Sequence, residues 1–122
     1  MAVQTMYVVH HSHTDIGYTD LQERVIDTQT SYIRRVLEIM RRPENAGFRW
    51  NCETMFCVEE FLRGAAKEET EAFMALAGAG RIGLSWNYLN FTDLVDSGVL
   101  QERLCRLRAL FAEHGVAFQT AM

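Results

Sequence analysis

The sequence lacks the features that are typical of disordered proteins, of membrane proteins and of proteins that bind metals through cysteines. Proline occurs once in 122 residues, and 48% of the residues are hydrophobic, a composition that argues for an ordered globular fold over disorder. No stretch approaches the eighteen or so apolar residues that a membrane span needs. The three cysteines, Cys52, Cys57 and Cys105, are odd in number and lack the C-x2-C spacing of metal-binding motifs. We therefore expect reduced, structural thiols.

Basic runs are also absent, and the formal net charge is -4. Its lysines and arginines do not form a cluster that could neutralise nucleic-acid phosphates or bind an anionic membrane surface. The first residues, Met1 to Val9, lack the basic start and long apolar region of a secretion signal. The sequence predicts a cytoplasmic protein that binds neither nucleic acid nor membranes.

The hydrophobic pattern alternates between strands and helices. Short apolar or period-two runs predict strands, and apolar residues at helical spacing, with charged residues between them, predict helices. Glycines and the single proline mark the boundaries. The predicted strands are Met6 to His10, Phe48 to Cys52, Arg81 to Leu89 and Val116 to Thr120; the predicted helices are Asp20 to Arg42, Thr54 to Ala77 with a break near Gly64, and a last one after Asp96.

This alternation predicts an α/β fold with a parallel sheet and right-handed crossovers. A complete (β/α) barrel takes about 250 residues, so three βα units and a fourth strand amount to roughly half of one. We therefore expect residues 1–122 to be the N-terminal part of a barrel domain. The alternative is a self-contained open α/β sheet, although no Gly-rich phosphate loop follows the first strand. A partial sheet leaves an unpaired edge strand, which predicts self-association.

The residues best suited to metal binding or catalysis follow the first strand. Ligands of parallel α/β sheets gather at the carboxyl ends of the strands, where His10 to Asp15 lie. Side chains alternate along an extended backbone, so His11, His13 and Asp15 project to one side. Imidazole nitrogens and a carboxylate suit zinc, whose catalytic sites use three protein ligands and keep one position open. The run predicts a divalent cation site.

Spacing alone leaves the reaction open. The same histidines can form a polar, hydrogen-bonded strand end, with Asp15 as a helix cap. Metal-dependent amidohydrolases and phosphoesterases also place His-x-His at the end of a first barrel strand. Several hydrolase classes therefore fit the pattern.

Three segments resemble the glycoside hydrolase family 38 α-mannosidases and their bacterial relatives. Residues 8–18, Val-Val-His-His-Ser-His-Thr-Asp-Ile-Gly-Tyr, look like that family's opening strand and loop, where Asn, Pro and Trp are usual at the places of Thr14, Ile16 and Tyr18. Residues 48–62 are similar to its second strand and helix, and residues 80–84 to its third strand. Together these segments extend over most of the chain.

The resemblance implies that His13 and Asp15 hold zinc, with His11 outside direct coordination. It also implies that the zinc binds two sugar hydroxyls, and that an aspartate after the fourth strand ligates the metal and attacks the anomeric carbon. That nucleophile and a later zinc-binding histidine have no counterpart in these 122 residues. A retaining glycosidase needs two carboxylates roughly 5 Å apart. We therefore expect the chain to be inactive on its own.

Other residues near the predicted strand ends are candidates for substrate contact. Glu53, after the second strand, is the candidate acid/base residue, with a helix N-terminal carboxylate as the structural alternative. Tyr18 offers an aromatic face to a sugar ring, and Tyr88 and Asn90 offer polar groups for hydroxyls. The predicted substrate is an α-mannoside or a related glycoside. A non-catalytic module that self-associates through its sheet edge is the alternative outside enzymes.

Overall fold

A computed structural model describes residues 3–90 and 96–118 of the chain. Three short strands and four α-helices follow one another as β1 (His10–His11), α1 (Gln22–Met40), β2 (Trp50–Cys52), α2 (Met55–Gly64), α3 (Lys67–Gly78), β3 (Ile82–Leu84) and α4 (Ser97–Glu113). A 3-10 turn at Pro43–Asn45 separates α1 from β2. Within the described ranges, no helix has both the length and the apolar character needed to cross a membrane.

The strands form a parallel sheet in the order β1-β2-β3. The prediction of an α/β fold with a parallel sheet is confirmed. The three strands form an open sheet, and closure into a barrel is not seen in residues 3–90 and 96–118. The parallel arrangement brings all three carboxyl ends to one edge of the sheet.

The first strand is shorter than predicted, and the residues that precede it are exposed. Pairing begins only at His10, while Tyr7 and Val8 are 89% and 66% exposed. The prediction of a buried strand from Met6 is wrong, because β1 pairs only with Trp50 and Asn51 of β2. A β-branched and aromatic run needs a partner surface before its strand propensity is realised.

The third strand also ends earlier than its period-two pattern predicts. Ile82–Leu84 pair with β2 in the ladder, the Ser85 amide donates to the Cys52 carbonyl at 3.3 Å, and the backbone then turns to the start of α2. The amide of Met55 donates to the Asn87 carbonyl at 2.8 Å, and the amide of Phe56 donates to the Tyr88 carbonyl at 3.0 Å. These bonds satisfy helix N-terminal amides that no side chain caps. The loop after β3 is thereby fixed to α2.

Three phenylalanines join the helices in the core. Phe61 of α2, Phe73 of α3 and Phe111 of α4 are fully buried. Their ring centroids lie 5.5 Å apart for Phe61 and Phe73, and 6.3 Å apart for Phe73 and Phe111. Burial of each ring contributes about 1.5–3 kcal/mol. The helices therefore hold the sheet, and with it the strand ends, in place.

The last helix is capped as its sequence predicts. The Asp96 side chain accepts hydrogen bonds from the amides of Gly98 and Val99 at 2.8 and 3.0 Å. After the helix, Val116 is buried, and residues 116–118 have no regular secondary structure. The predicted fourth strand is thus not formed over residues 116–118, and its remaining residues, 119–120, lie outside the described part of the chain.

Candidate metal centre

The register of the sheet places His13 beside Glu53. His10 pairs with Trp50, and His11 pairs with Asn51. The same forty-residue offset continues past the strand ends, where His13 Nδ1 lies 2.8 Å from Glu53 Oε1 in a hydrogen bond. Glu53 therefore lies at the same edge of the sheet as the histidine run.

The second oxygen of Glu53 is also engaged. The Thr14 amide donates to Glu53 Oε2 at 2.8 Å, and the Glu53 side chain is only 10% exposed. His11 Nδ1 lies 4.0 Å from Glu53 Oε1, which is beyond hydrogen-bond range. Glu53 therefore fixes the backbone and the imidazole of the loop after β1, while His11 remains outside this bonded group.

Asp15 completes the surroundings of His13. Its Oδ1 lies 3.1 Å from His13 Nε2, and both side chains are more than half exposed. The imidazole thus lies between two carboxylates. The Glu53 carboxylate, through its hydrogen bond and its charge, raises the pKa of His13 above the usual 6.5, and Asp15 raises it further.

A small polar cluster lies next to the Glu53 loop. Thr54 Oγ1 donates to Cys57 Sγ at 3.3 Å, and Thr14 Oγ1 lies 3.6 Å from the same sulfur. All three residues are buried, and burial raises the pKa of Cys57. Burial thus favours the neutral form of the Cys57 thiol. Sequence analysis noted Thr14 only as a departure from the family pattern and missed its contact with Cys57.

The loop after β1 returns to α1 and is attached there. Gly17 has φ +93, a backbone conformation that favours glycine, in the turn that reverses the loop. Gln29 Nε2 of α1 then donates to the His13 carbonyl at 3.0 Å. The amphipathic pattern of α1 marks Gln29 only as a polar helix residue, so nothing in the sequence indicates this contact.

In the described part of the chain, no hydrogen bond joins the predicted substrate residues Tyr18, Tyr88 and Asn90 to His13, Asp15 or Glu53. Tyr18 is 95% exposed. The Tyr88 hydroxyl donates to Glu59 Oε2 at 2.6 Å, and Arg103 Nη1 donates to Glu59 Oε1 at 3.1 Å. Burial and Glu59 raise the pKa of Tyr88 to about 12. Asn90 accepts a hydrogen bond from Asn87 Nδ2 at 3.0 Å.

The His13–Asp15 pair fits one side of a zinc site. Nitrogen and oxygen ligands bound to tetrahedral zinc at about 2.0–2.1 Å lie about 3.3 Å apart, close to the observed 3.1 Å between His13 Nε2 and Asp15 Oδ1. Metal-ligating histidines usually donate their other ring N–H to a carboxylate, which is the position of Glu53. Within residues 3–90 and 96–118, no group of three His, Cys, Asp or Glu is arranged to hold a metal ion. The described residues thus offer two ligands.

Comparison with known proteins adds no relative. No family model, curated protein or solved structure matches the chain.

Proposed function

We propose that this chain carries one side of a zinc centre in a (β/α) barrel-type hydrolase, with His13 and Asp15 as ligands. The observation that supports the proposal is the spacing of 3.1 Å between His13 Nε2 and Asp15 Oδ1, together with the Glu53 hydrogen bond of 2.8 Å to the other ring nitrogen. Both ligands follow β1, at the edge where parallel α/β proteins place their sites. Bound zinc would supply a Lewis acid that polarises substrate oxygens.

Within this proposal, Glu53 is a positioning residue rather than the acid/base residue for which it is a candidate by sequence. One of its oxygens bonds to His13 and the other to the Thr14 amide, so the carboxylate holds both the ring and the loop after β1. The carboxylate also favours the imidazole tautomer that carries its proton on Nδ1, so the lone pair of Nε2 faces Asp15. His11, whose Nδ1 lies 4.0 Å from Glu53 Oε1, is proposed to lie outside direct coordination, as the resemblance implies.

The proposed reaction class is hydrolysis of α-mannosides or related glycosides. This assignment follows from the resemblance of residues 8–18 to the opening segment of family 38 glycoside hydrolases, and the 122-residue chain alone is proposed to be inactive. A cytoplasmic location belongs to the same proposal, because Cys52 and Cys57 are buried free thiols of the kind that reducing compartments preserve. A metal-dependent amidohydrolase or phosphoesterase is the alternative reaction class.

Self-association is a second proposal, supported by the exposed segment before β1. Val3 and four consecutive apolar residues from Met6 to Val9 are each at least 66% exposed, and β1 is an end strand of the sheet. Exposed apolar residues beside a strand edge favour pairing with another strand. Sedimentation velocity over a concentration series would show a monomer–oligomer shift, whereas monomer throughout contradicts the proposal.

Calorimetric zinc titration tests the metal centre. We expect His13→Ala and Asp15→Ala to lower zinc affinity at least tenfold, because each removes one of the two described ligands. His11→Ala should have a smaller effect. His114→Ala is the matched control, since His114 lies at the end of α4 and should leave zinc binding unchanged. If both ligand variants bind zinc as well as the parent, the assignment is wrong.

A further inference from the structure

An open groove of about 400 Å³ lies between helices α2 and α4. Three leucines make much of its lining apolar: Leu107 is buried, Leu62 is half-buried and Leu110 is 38% exposed. Arg63 of α2 and Arg106 of α4 line it as well. Neither the proposed zinc centre nor the proposed reaction involves this groove, which we name the α2–α4 groove.

The α2–α4 groove carries a positive charge that its own surroundings leave unpaired. Glu59 also lines it, but its carboxylate is already bonded to Arg103 at 3.1 Å. Arg63 Nη1 lies 2.8 Å from Glu60 Oε1 on its own helix. Arg106 is exposed, and among the described residues it forms no ion pair. The surface that complements this groove therefore combines an apolar side chain with carboxylates.

Helix α1 has a face of this composition. Glu23, Ile26 and Asp27 are spaced three and four residues apart, so they lie on one side of the helix. Both carboxylates are exposed, and Ile26 is half-buried. Arg24, the cation next to Glu23 in the chain, pairs instead with Asp20, and within residues 3–90 and 96–118 neither carboxylate of this face forms an ion pair. We name these three residues the acidic face of α1.

We propose that the α2–α4 groove binds the acidic face of α1 in a second copy of this chain. Ile26 then packs on the leucines, and its flanking carboxylates lie beside Arg106 and Arg63. An amphipathic helix laid in an apolar groove is a recurrent mode of recognition. Because the two surfaces belong to different helices, the contact is head-to-tail and joins copies into rings or chains rather than symmetric pairs. It is independent of zinc and of the exposed segment before β1.

Sedimentation velocity over a concentration series tests the contact. Association of the parent should weaken between about 0.1 M and about 1 M salt, because the screening length falls from about 10 Å to about 3 Å. Arg106→Glu and Asp27→Arg should each raise the dissociation constant at least about tenfold, because each places like charges across the contact. Arg108→Glu is the matched control: Arg108 is an exposed arginine of α4 that does not line the groove, and this variant should associate as the parent does.

An equimolar mixture of Arg106→Glu and Asp27→Arg separates loss of the contact from misfolding. Each variant alone should lose the salt-sensitive association, whereas the mixture should regain it, because every contact between the two proteins joins opposite charges. A mixture that stays dissociated overturns the proposal, and so does a parent that is monomeric at both salt concentrations. Association that persists unchanged in Arg106→Glu and at high salt also overturns it, and supports pairing through the segment before β1 instead.

Discussion

The imidazole of His13 and the carboxylate of Glu53 meet at 2.8 Å although forty residues separate them in the chain. The contact continues the register of β1 on β2 beyond the last paired residues. It fixes the ring by its Nδ1 and leaves Nε2 beside Asp15.

Glu53→Gln should lower the pKa of His13 toward its usual value, because the charge and the hydrogen bond of Glu53 are the main causes of the raised value. Zinc affinity should fall about 10–100-fold, the usual effect of losing the carboxylate that orients a ligating histidine. NMR titration of the His13 ring and zinc calorimetry measure the two effects. Glu60→Gln, which removes an equal charge from the pair with Arg63 on α2, is the control and should change neither. An unaltered His13 pKa in Glu53→Gln contradicts the geometry.

Stability and zinc affinity should respond to pH in opposite directions at His13. Its pKa is raised in the folded state, so its ion pairs stabilise the fold fully below the usual pKa of 6.5 and lose that contribution as the pH rises through the folded value. Zinc requires the neutral ring, so its affinity should rise over the same range.

The comparison of parent and His13→Gln isolates this residue. Urea unfolding at several pH values should show the stability difference between the two proteins shrinking as the pH rises through the folded pKa, while calorimetry shows the parent alone gaining zinc affinity. A stability difference that is independent of pH would contradict the ion pairs of His13 with Glu53 and Asp15.

Thr14→Val should reduce the free energy of unfolding by about 1 kcal/mol, because it removes the hydroxyl that contacts the Cys57 sulfur and keeps a side chain of similar shape. Denaturant titration measures the change. Thr19→Val is the control, since Thr19 is exposed on the same loop, and its stability should match the parent. Equal stability of both variants would mean that the buried hydroxyl contributes nothing.

Tyr88→Phe should destabilise the fold by about 1 kcal/mol or more, because Glu59 loses the hydroxyl that donates to its Oε2 and keeps the bond from Arg103 to its Oε1. Zinc and methyl α-mannopyranoside binding should be unchanged, since the hydroxyl is bonded to α2 and not to the His13 group. Tyr7→Phe, at an 89% exposed position, controls for the loss of a hydroxyl as such. A selective loss of sugar binding in Tyr88→Phe would restore its predicted role as a substrate residue.

The helices were largely predictable from sequence, and the strands only in part. The apolar spacing of α1 predicts Asp20 to Arg42 and the helix extends over Gln22–Met40, because a long helix repeats its pattern through several turns. Strand pairing depends instead on what lies alongside. Met6 to Val9 have the composition of a buried strand but remain exposed, and Asn87 and Tyr88 bond to α2 instead of extending β3.

The candidate site was predictable to the extent that it follows the strand ends. The alternation of side chains after β1 predicted His11, His13 and Asp15 together, the family resemblance narrowed the zinc ligands to His13 and Asp15, and the end of β2 indicated Glu53. Gln29 and Cys57 could not be found in this way, because their contacts with the loop depend on how α1 and α2 pack, which a helical pattern leaves undetermined.

The Glu53–His13 contact also bears on how the chain folds and opens. It closes a segment of forty residues that contains the whole of α1, so its formation carries the entropy cost of bringing β1 and β2 together. A metal ion bound here would stabilise the β1–α1–β2 unit, because it binds the folded state in preference to the unfolded one. Hydrogen exchange at the amides of β1 and the Thr14 amide would then slow on zinc binding, and zinc release would accompany local opening of this end of the sheet.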